Sequence, residues 1–316
     1  MFTSSGRIVF FIFSFLFGCN IASGENYYSH RIGLDDLIHQ SFKDIFPELS
    51  ECCPIKPLPP IYGGTPTEVD EFPQVVLLHY IDKNGNSTFP CSGTLISRSF
   101  VLTAAHCVTG EIQRKSGFLA YIRLGEHDLS QVECNRGICS EIKTKVDRAI
   151  GKVIVHENYS SRTYQNDIAL VQLSDPLYDF SSNIAPMCLR WVHKPSATIL
   201  RPDHEYTVVG WGRTLNQKQS PVSNKLNVKL YDHNECVRQY GRKNVTITKG
   251  QICGGGVFKQ DACDGDSGGP LISFIDGCPV LDGVISFGRG CGLENWPGVY
   301  TNVMAYRRWI VKHLVA

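Results

Sequence analysis

The chain has 316 residues, enough for one large all-β unit with an appendage or for two domains. Its 31 basic and 30 acidic residues leave a formal net charge of +1, which gives no reason to invoke nucleic acid or an anionic membrane surface as partner. Thirteen cysteines spread along the chain point to an oxidising compartment, and no pair has zinc-finger spacing with matching histidines.

In chain order, Arg7 precedes an apolar run over residues 8–18, and the small residues Ala22, Ser23 and Gly24 follow. This pattern predicts a secretory signal peptide over residues 1–24 and so a secreted, extracellular protein. The run is shorter than the roughly 20 residues of a membrane span. No membrane contact is therefore expected after cleavage, an uncleaved anchor being the alternative. Cys19 leaves with this segment, so twelve of the thirteen cysteines remain. Leu34, Leu37, Ile38, Phe42, Ile45 and Phe46 then recur at helical spacing. They predict an amphipathic helix over residues 34–46 that stops before Pro47. Its apolar side either docks on the large domain or recruits a partner. Cys52-Cys53-Pro54 and Pro57-Leu-Pro-Pro60 follow, and the prolines favour an extended, semi-rigid tether.

Beyond residue 60, short apolar stretches alternate with Gly/Asn/Asp/Pro turns. Residues 75–81, 94–96, 100–102, 151–155, 168–171, 206–209 and 283–286 read as strands, and many short strands imply a barrel or a sandwich. Val303, Tyr306, Trp309, Ile310 and Leu314 keep a helical period and predict a docked terminal helix. Asn86-Ser-Thr88, Asn158-Tyr-Ser160 and Asn244-Val-Thr246 are N-glycosylation acceptor triplets, of a kind that also arises by chance.

Asp261-Ala-Cys-Asp-Gly-Asp-Ser-Gly-Gly-Pro270 is the stretch richest in chemistry. Ser267 offers a hydroxyl, and glycines at 265, 268 and 269 allow strained turns and close approach of backbone N–H groups. A serine is a weak nucleophile without a base and an orienting carboxylate. The chain supplies both, His106 in Leu102-Thr-Ala-Ala-His-Cys107 and Asp167 in Asn166-Asp-Ile-Ala-Leu-Val171. These three segments, in the order His, Asp, Ser, resemble the trypsin/chymotrypsin family of serine proteases over residues 61–316. Ile61-Tyr-Gly-Gly-Thr65, Leu124-Gly-Glu-His-Asp128 and Trp296-Pro-Gly-Val-Tyr300 resemble its arthropod clip-protease branch. A clip domain carries six cysteines and residues 25–60 carry two, so no clip domain is recognisable there.

The resemblance implies an all-β fold of two antiparallel six-stranded barrels with the site between them and a C-terminal helix. Residues 25–60 are then a pro-segment. It implies that Ser267 is the nucleophile, His106 its base and Asp167 the group that orients the imidazole. The N–H groups of Gly265 and Ser267 would form the oxyanion hole. Asp261 would floor a pocket for Arg or Lys, kept open by Gly288 and Gly298, while Ser286 through Gly288 would pair with the substrate backbone. Ala262 beside that floor favours Arg, whose fork gains more from a carboxylate. After a cut before Ile61, the new amine would pair with Asp266. Family positions pair Cys91 with Cys107, Cys134 with Cys139, Cys236 with Cys253 and Cys263 with Cys291. Cys188 would take Cys52 or Cys53, and Cys278 is left with a pro-segment bond, an intermolecular bond or a free thiol. Loops of this family near Glu126 can bind calcium, but one acid does not make a site, and no metal or cofactor is expected. The implied partners are protein substrates with Arg or Lys at the cleavage point, an activating peptidase and a serpin-type inhibitor. Pro60, not Arg or Lys, precedes Ile61. Either an unusual peptidase cuts there, or the chain stays a catalytically silent, zymogen-like binding or decoy protein.

Overall fold

The computed structural model describes residues 45–53, 64–130, 145–193, 200–202, 204–213, 217, 219–257, 265–290 and 292–315. Ile61, Cys134, Cys139, Asp261, Cys263 and Cys291 lie outside the described residues, as do the predicted signal peptide, the proline tether and all but the last two positions of the predicted 34–46 helix. The strands are β1 (Thr65–Pro66), β2 (Val75–Ile81), β3 (Ser87–Leu95), β4 (Phe100–Thr103), β5 (Phe118–Leu124), β6 (Val146–Val155), β7 (Ala169–Leu173), β8 (Cys188–Leu189), β9 (Glu205–Gly210), β10 (Asn224–Lys229), β11 (Gln251–Gly254), β12 (Pro270–Ile275), β13 (Cys278–Phe287) and β14 (Gly298–Asn302). Each predicted strand is present, and residues 94 and 95 close the longer β3.

Six strands close an antiparallel barrel in the order β2-β3-β4-β7-β6-β5. The apolar run at the start of β2 and the Phe-Val-Leu of β4 fill it, and Leu77, Leu78, Val101 and Leu102 are fully buried. The second sheet has eight strands, β1-β10-β9-β12-β13-β14-β11, with β8 beside β13. A bridge between Leu230 and Gly254, with Tyr231 N–H donating to Cys253 O at 2.8 Å, brings β11 back against the end of β10. Six antiparallel strands thus form the second closed set. Two short strands are added to it: β1 on β10, and β8, which runs parallel to β13. The expected pair of six-stranded barrels is met with these additions.

The helices are short: α1 (Leu49–Cys52), α2 (Ala105–Val108), α3 (Glu111–Ser116), α4 (Arg190–His193), α5 (His233–Gly241) and the terminal α6 (Arg307–Leu314). Trp309, Ile310 and Leu314 of α6 are buried, as their spacing predicts, and Trp309 Nε1–H donates to Glu157 Oε2 at 2.9 Å.

Phe46 is buried in the main hydrophobic core, and Ile45 packs against it. Glu48 and Glu51 cap α1 reciprocally, and Glu51 Oε1 meets Arg98 at 2.6 Å. Cys52 bonds to Cys188 and Cys53 to Cys278. The expected Cys188 link is present, and the open question of Cys278 is settled by a second link to the same N-terminal segment. Cys91–Cys107 and Cys236–Cys253 are also bonded. Between the two linked strands, the buried Arg190 grips Asp282 through two hydrogen bonds of 2.6 and 2.7 Å and reaches Ser273 Oγ at 2.9 Å. Burial pushes the Asp282 carboxyl up from its ordinary value, and Arg190 opposes that shift.

Candidate active site

β4 and β7 pair with Thr103 opposite Ala169. His106 follows Thr103 by three residues on α2, and Asp167 precedes Ala169 by two, so the strand register brings them together. The Cys91–Cys107 bond fixes the far end of the His106 turn. His106 Nδ1 lies 2.8 Å from Asp167 Oδ2, and the His106 backbone N–H donates to Oδ1 at 2.9 Å. Ser286 Oγ–H donates to Oδ2 at 2.5 Å, and Thr301 Oγ1–H donates to the Asp167 carbonyl at 2.7 Å. Asp167 is 0% exposed. A carboxylate removed from water persists only with such donors, and here it has three. This network assigns the imidazole proton to Nδ1 and leaves Nε2 as an acceptor. Tyr164, at a left-handed φ of 53°, sets its ring edge-on to His106 at 5.8 Å. Burial, aided by Asp167, raises the phenol pKa of nearby Tyr159.

Ser267 sits in a loop that leans on the first barrel. Its carbonyl accepts from Ser92 N–H of β3 at 2.8 Å. Gly268, at φ 79°, has no room for a side chain: a Cβ there would lie 2.2 Å from Thr103 Oγ1 and 2.4 Å from Ser92 O. Gly265 is left-handed as well, at φ 100°. Asp266 Oδ1 accepts from Gly212 N–H at 2.7 Å. Its carboxylate occupies the space that a Cβ on Gly210 or Gly212 would take, at 2.2 and 2.4 Å.

His106, Gly265 and Ser267 line one cleft of about 630 Å³, with Phe89, Tyr159 and Tyr164 on its walls. No hydrogen bond joins Ser267 Oγ to His106 among the described residues, and Nε2 lies 3.6 Å from Cys107 Sγ. Such bonds are commonly long in a protein without substrate and tighten on binding. Gly288 and Gly298 face each other, a Cβ on Gly288 standing 4.0 Å from Gly298 Cα. Ser286 is 2% exposed, and its hydroxyl serves Asp167, which the sequence reading did not anticipate. A register shift in β13 between Ile285 and Phe287 frees Ser286 from the β14 ladder. A lone hydroxyl inside the apolar run Val284-Ile-Ser-Phe287 was the available signal. Cys91, His106 and Cys107 bring potential metal ligands within 4.8 Å, but a disulfide consumes both sulfurs. The Glu126 carboxylate faces Lys145 at 3.5 Å and Arg123 at 3.7 Å, cations where calcium would need oxygens.

The family model described as Trypsin matches residues 61–310. Among similar proteins, CLIP domain-containing serine protease B9 of Anopheles gambiae is 41% identical over 255 residues, covering 79% of this chain and 62% of that protein. Serine protease 7 of Drosophila melanogaster is 38% identical, covering 85% of this chain and 68% of its own length. Phenoloxidase-activating enzyme 1 of Spodoptera litura is 38% identical, covering 86% and 73%. The chain therefore spans less than two thirds of the mosquito relative. A cleft between two antiparallel barrels, a buried His–Asp pair and a match over residues 61–310 have one reading: this chain belongs to the trypsin family of serine proteases, with an arthropod clip-protease-like domain.

Proposed function

We propose that the protein is a secreted serine endopeptidase that cleaves protein substrates after Arg or Lys in an extracellular proteolytic cascade. The observation that carries this reading is the 2.8 Å His106–Asp167 hydrogen bond at a cleft that Ser267 also lines. Ser267 Oγ attacks the scissile carbonyl while His106 Nε2 takes its proton. Asp167 stabilises the imidazolium, which then protonates the leaving amine. Water hydrolyses the acyl-enzyme by the same proton path. The N–H groups of Gly265 and Ser267 hold the oxyanion, each lowering the barrier by about 3–4 kcal/mol. Asp261 attracts the substrate cation, and Gly288 and Gly298 leave room for its side chain.

Residues 1–24 direct secretion, and 25–60 act as a pro-segment. A cut between Pro60 and Ile61 releases an amine that pairs with Asp266 and orders the oxyanion loop. Cys52–Cys188 and Cys53–Cys278 then keep the pro-segment attached. The activating peptidase must accept Pro60, and a serpin-type inhibitor is the expected brake. The name of the Spodoptera relative, an activating enzyme, supports a place in a cascade.

The test is N-terminal sequencing of the secreted protein, with hydrolysis of an Arg amide and labelling by a fluorophosphonate. A chain beginning at Ile61 that hydrolyses the amide and labels at Ser267 supports the reading. A chain beginning near residue 25, inert in both assays even after an Ile61 terminus is engineered, replaces it with the decoy.

A further inference from the structure

The loop between β6 and β7 carries the acceptor triplet Asn158-Tyr-Ser160. Asn158 is exposed. Its backbone is held on both sides: its N–H donates to His156 Nδ1 at 3.2 Å, and its carbonyl accepts from Asn166 Nδ2 at 2.7 Å. Asn166, at a left-handed φ of 54°, is itself fixed by Tyr306 O–H at 2.9 Å. The Asn158 side-chain amide makes no hydrogen bond among the described residues. Asn86 differs, because its Nδ2–H donates to Asp82 Oδ2 at 2.9 Å inside a tight hairpin. To carry a sugar, the Asn86 amide must keep its remaining N–H on Asp82, whereas the Asn158 amide has no such bond to keep.

Position gives the triplet its consequence. Tyr159, the residue after Asn158, lines the cleft, as do Ser161 and Tyr164 of the same loop. Asn158 adjoins this wall without lining it, so a group attached to it is rooted beside the cleft that Ser267 and His106 line. An N-glycan is bulky, uncharged and hydrated. It obstructs a folded protein that must press a broad surface on the rim, while an extended peptide still reaches the floor.

We propose that Asn158 is N-glycosylated and that its glycan screens the cleft against folded proteins while leaving extended segments free to enter. The proposal rests on the reading of the chain as a secreted peptidase. The full chain, secreted from insect cells, is analysed by mass spectrometry of the Asn158 peptide before and after glycosidase treatment. N158Q and S160A remove the acceptor; S160T keeps it. Amide hydrolysis is compared with association of a Kunitz-type protein inhibitor, read by surface binding so that it needs no activity.

The expected result is a glycan on Asn158 and amide kcat/KM within about twofold across the variants. Inhibitor association should quicken by about fivefold in N158Q and S160A and stay at the wild-type rate in S160T. An unmodified Asn158 overturns the proposal, and so does equal association in all four proteins. A glycosylated, screened but inert enzyme leaves the site standing and sinks the peptidase reading instead.

Discussion

The two walls of the cleft are built differently. On the first-barrel side, His106 and Asp167 sit at the ends of paired strands, and the buried carboxylate is satisfied by the His106 backbone, its ring and Ser286. On the second-barrel side, Ser267 is carried by a loop of left-handed glycines whose anchor, Ser92 N–H, belongs to the opposite barrel. Strand register fixes His106 against Asp167. Close packing that admits no Cβ at Gly268 fixes the Ser267 loop. The His–Asp pair therefore stands on regular strands, while Ser267 depends on a loop, the kind of segment that rearranges most readily.

The hardest break of this comparison is Ser267→Ala. If Ser267 is the nucleophile, amide hydrolysis should fall by about 10⁶-fold, the scale seen when a triad serine is removed from another fold. The circular dichroism spectrum should stay unchanged, because the loop's anchor is a backbone carbonyl. Retained turnover would remove Ser267 from the chemistry.

Gly268→Ala tests the packing argument. A methyl group there meets Thr103 and Ser92 and adopts a left-handed backbone, so unfolding stability should drop by about 2–4 kcal/mol. Gly85→Ala is the control: it has the same sign of φ and nothing within 4 Å, and should cost about 1–2 kcal/mol. Urea unfolding of the two variants compares steric exclusion with backbone strain alone. Equal losses would mean that the barrels do not clamp the Ser267 loop.

Ser286→Ala breaks the one donor that the second barrel lends to the Asp167 carboxylate. A hydrogen bond to a charged group contributes about 1.5–3 kcal/mol, so kcat should fall by about tenfold or more with KM little changed. Threonine at 286 should restore part of it. A KM effect without a kcat effect would assign Ser286 to substrate binding instead.

The sequence carried some of this and not the rest. Motifs around His106, Asp167 and Ser267 are local strings, and the strands they flank have readable apolar runs. The partner of Cys278 was not readable, because Cys53 lies 225 residues away and connectivity does not follow from spacing. Closure of the second sheet rests on a single bridge between Leu230 and Gly254, a pairing with no side-chain signature. The hydroxyl of Ser286 looked like a strand residue until the bulge beside it turned it toward Asp167. Local chemistry is written in strings, and long-range registry is not.

The smallest effect concerns the back of the first barrel's wall. His79 is nearly buried on β2, with Nε2 on Ser87 Oγ at 2.8 Å, Phe89 stacked at 4.8 Å and Tyr121 at 5.7 Å. Asp147 lies 3.7 Å from its Nδ1, but Arg123 already holds that carboxylate through two hydrogen bonds of 2.8 Å. Burial first, and the Arg123 charge second, hold the His79 pKa below 6.5, against a smaller pull from Asp147. The unfolded chain therefore takes up this proton before the folded one does. The contribution is fully present above pH about 6.5 and is lost as pH falls toward the folded value. His156, depressed mainly by burial, adds a loss of the same sign. In urea unfolding from pH 7 to 5, His79→Gln should flatten the decline by at most about 1.4 kcal/mol per pH unit, the limit for one proton. Phe89 also lines the cleft, so acid should loosen the His106 wall before the Ser267 wall. Parallel slopes in wild type and variant would mean that the fold protonates His79 as readily as water does, and that acid does not distinguish the two walls.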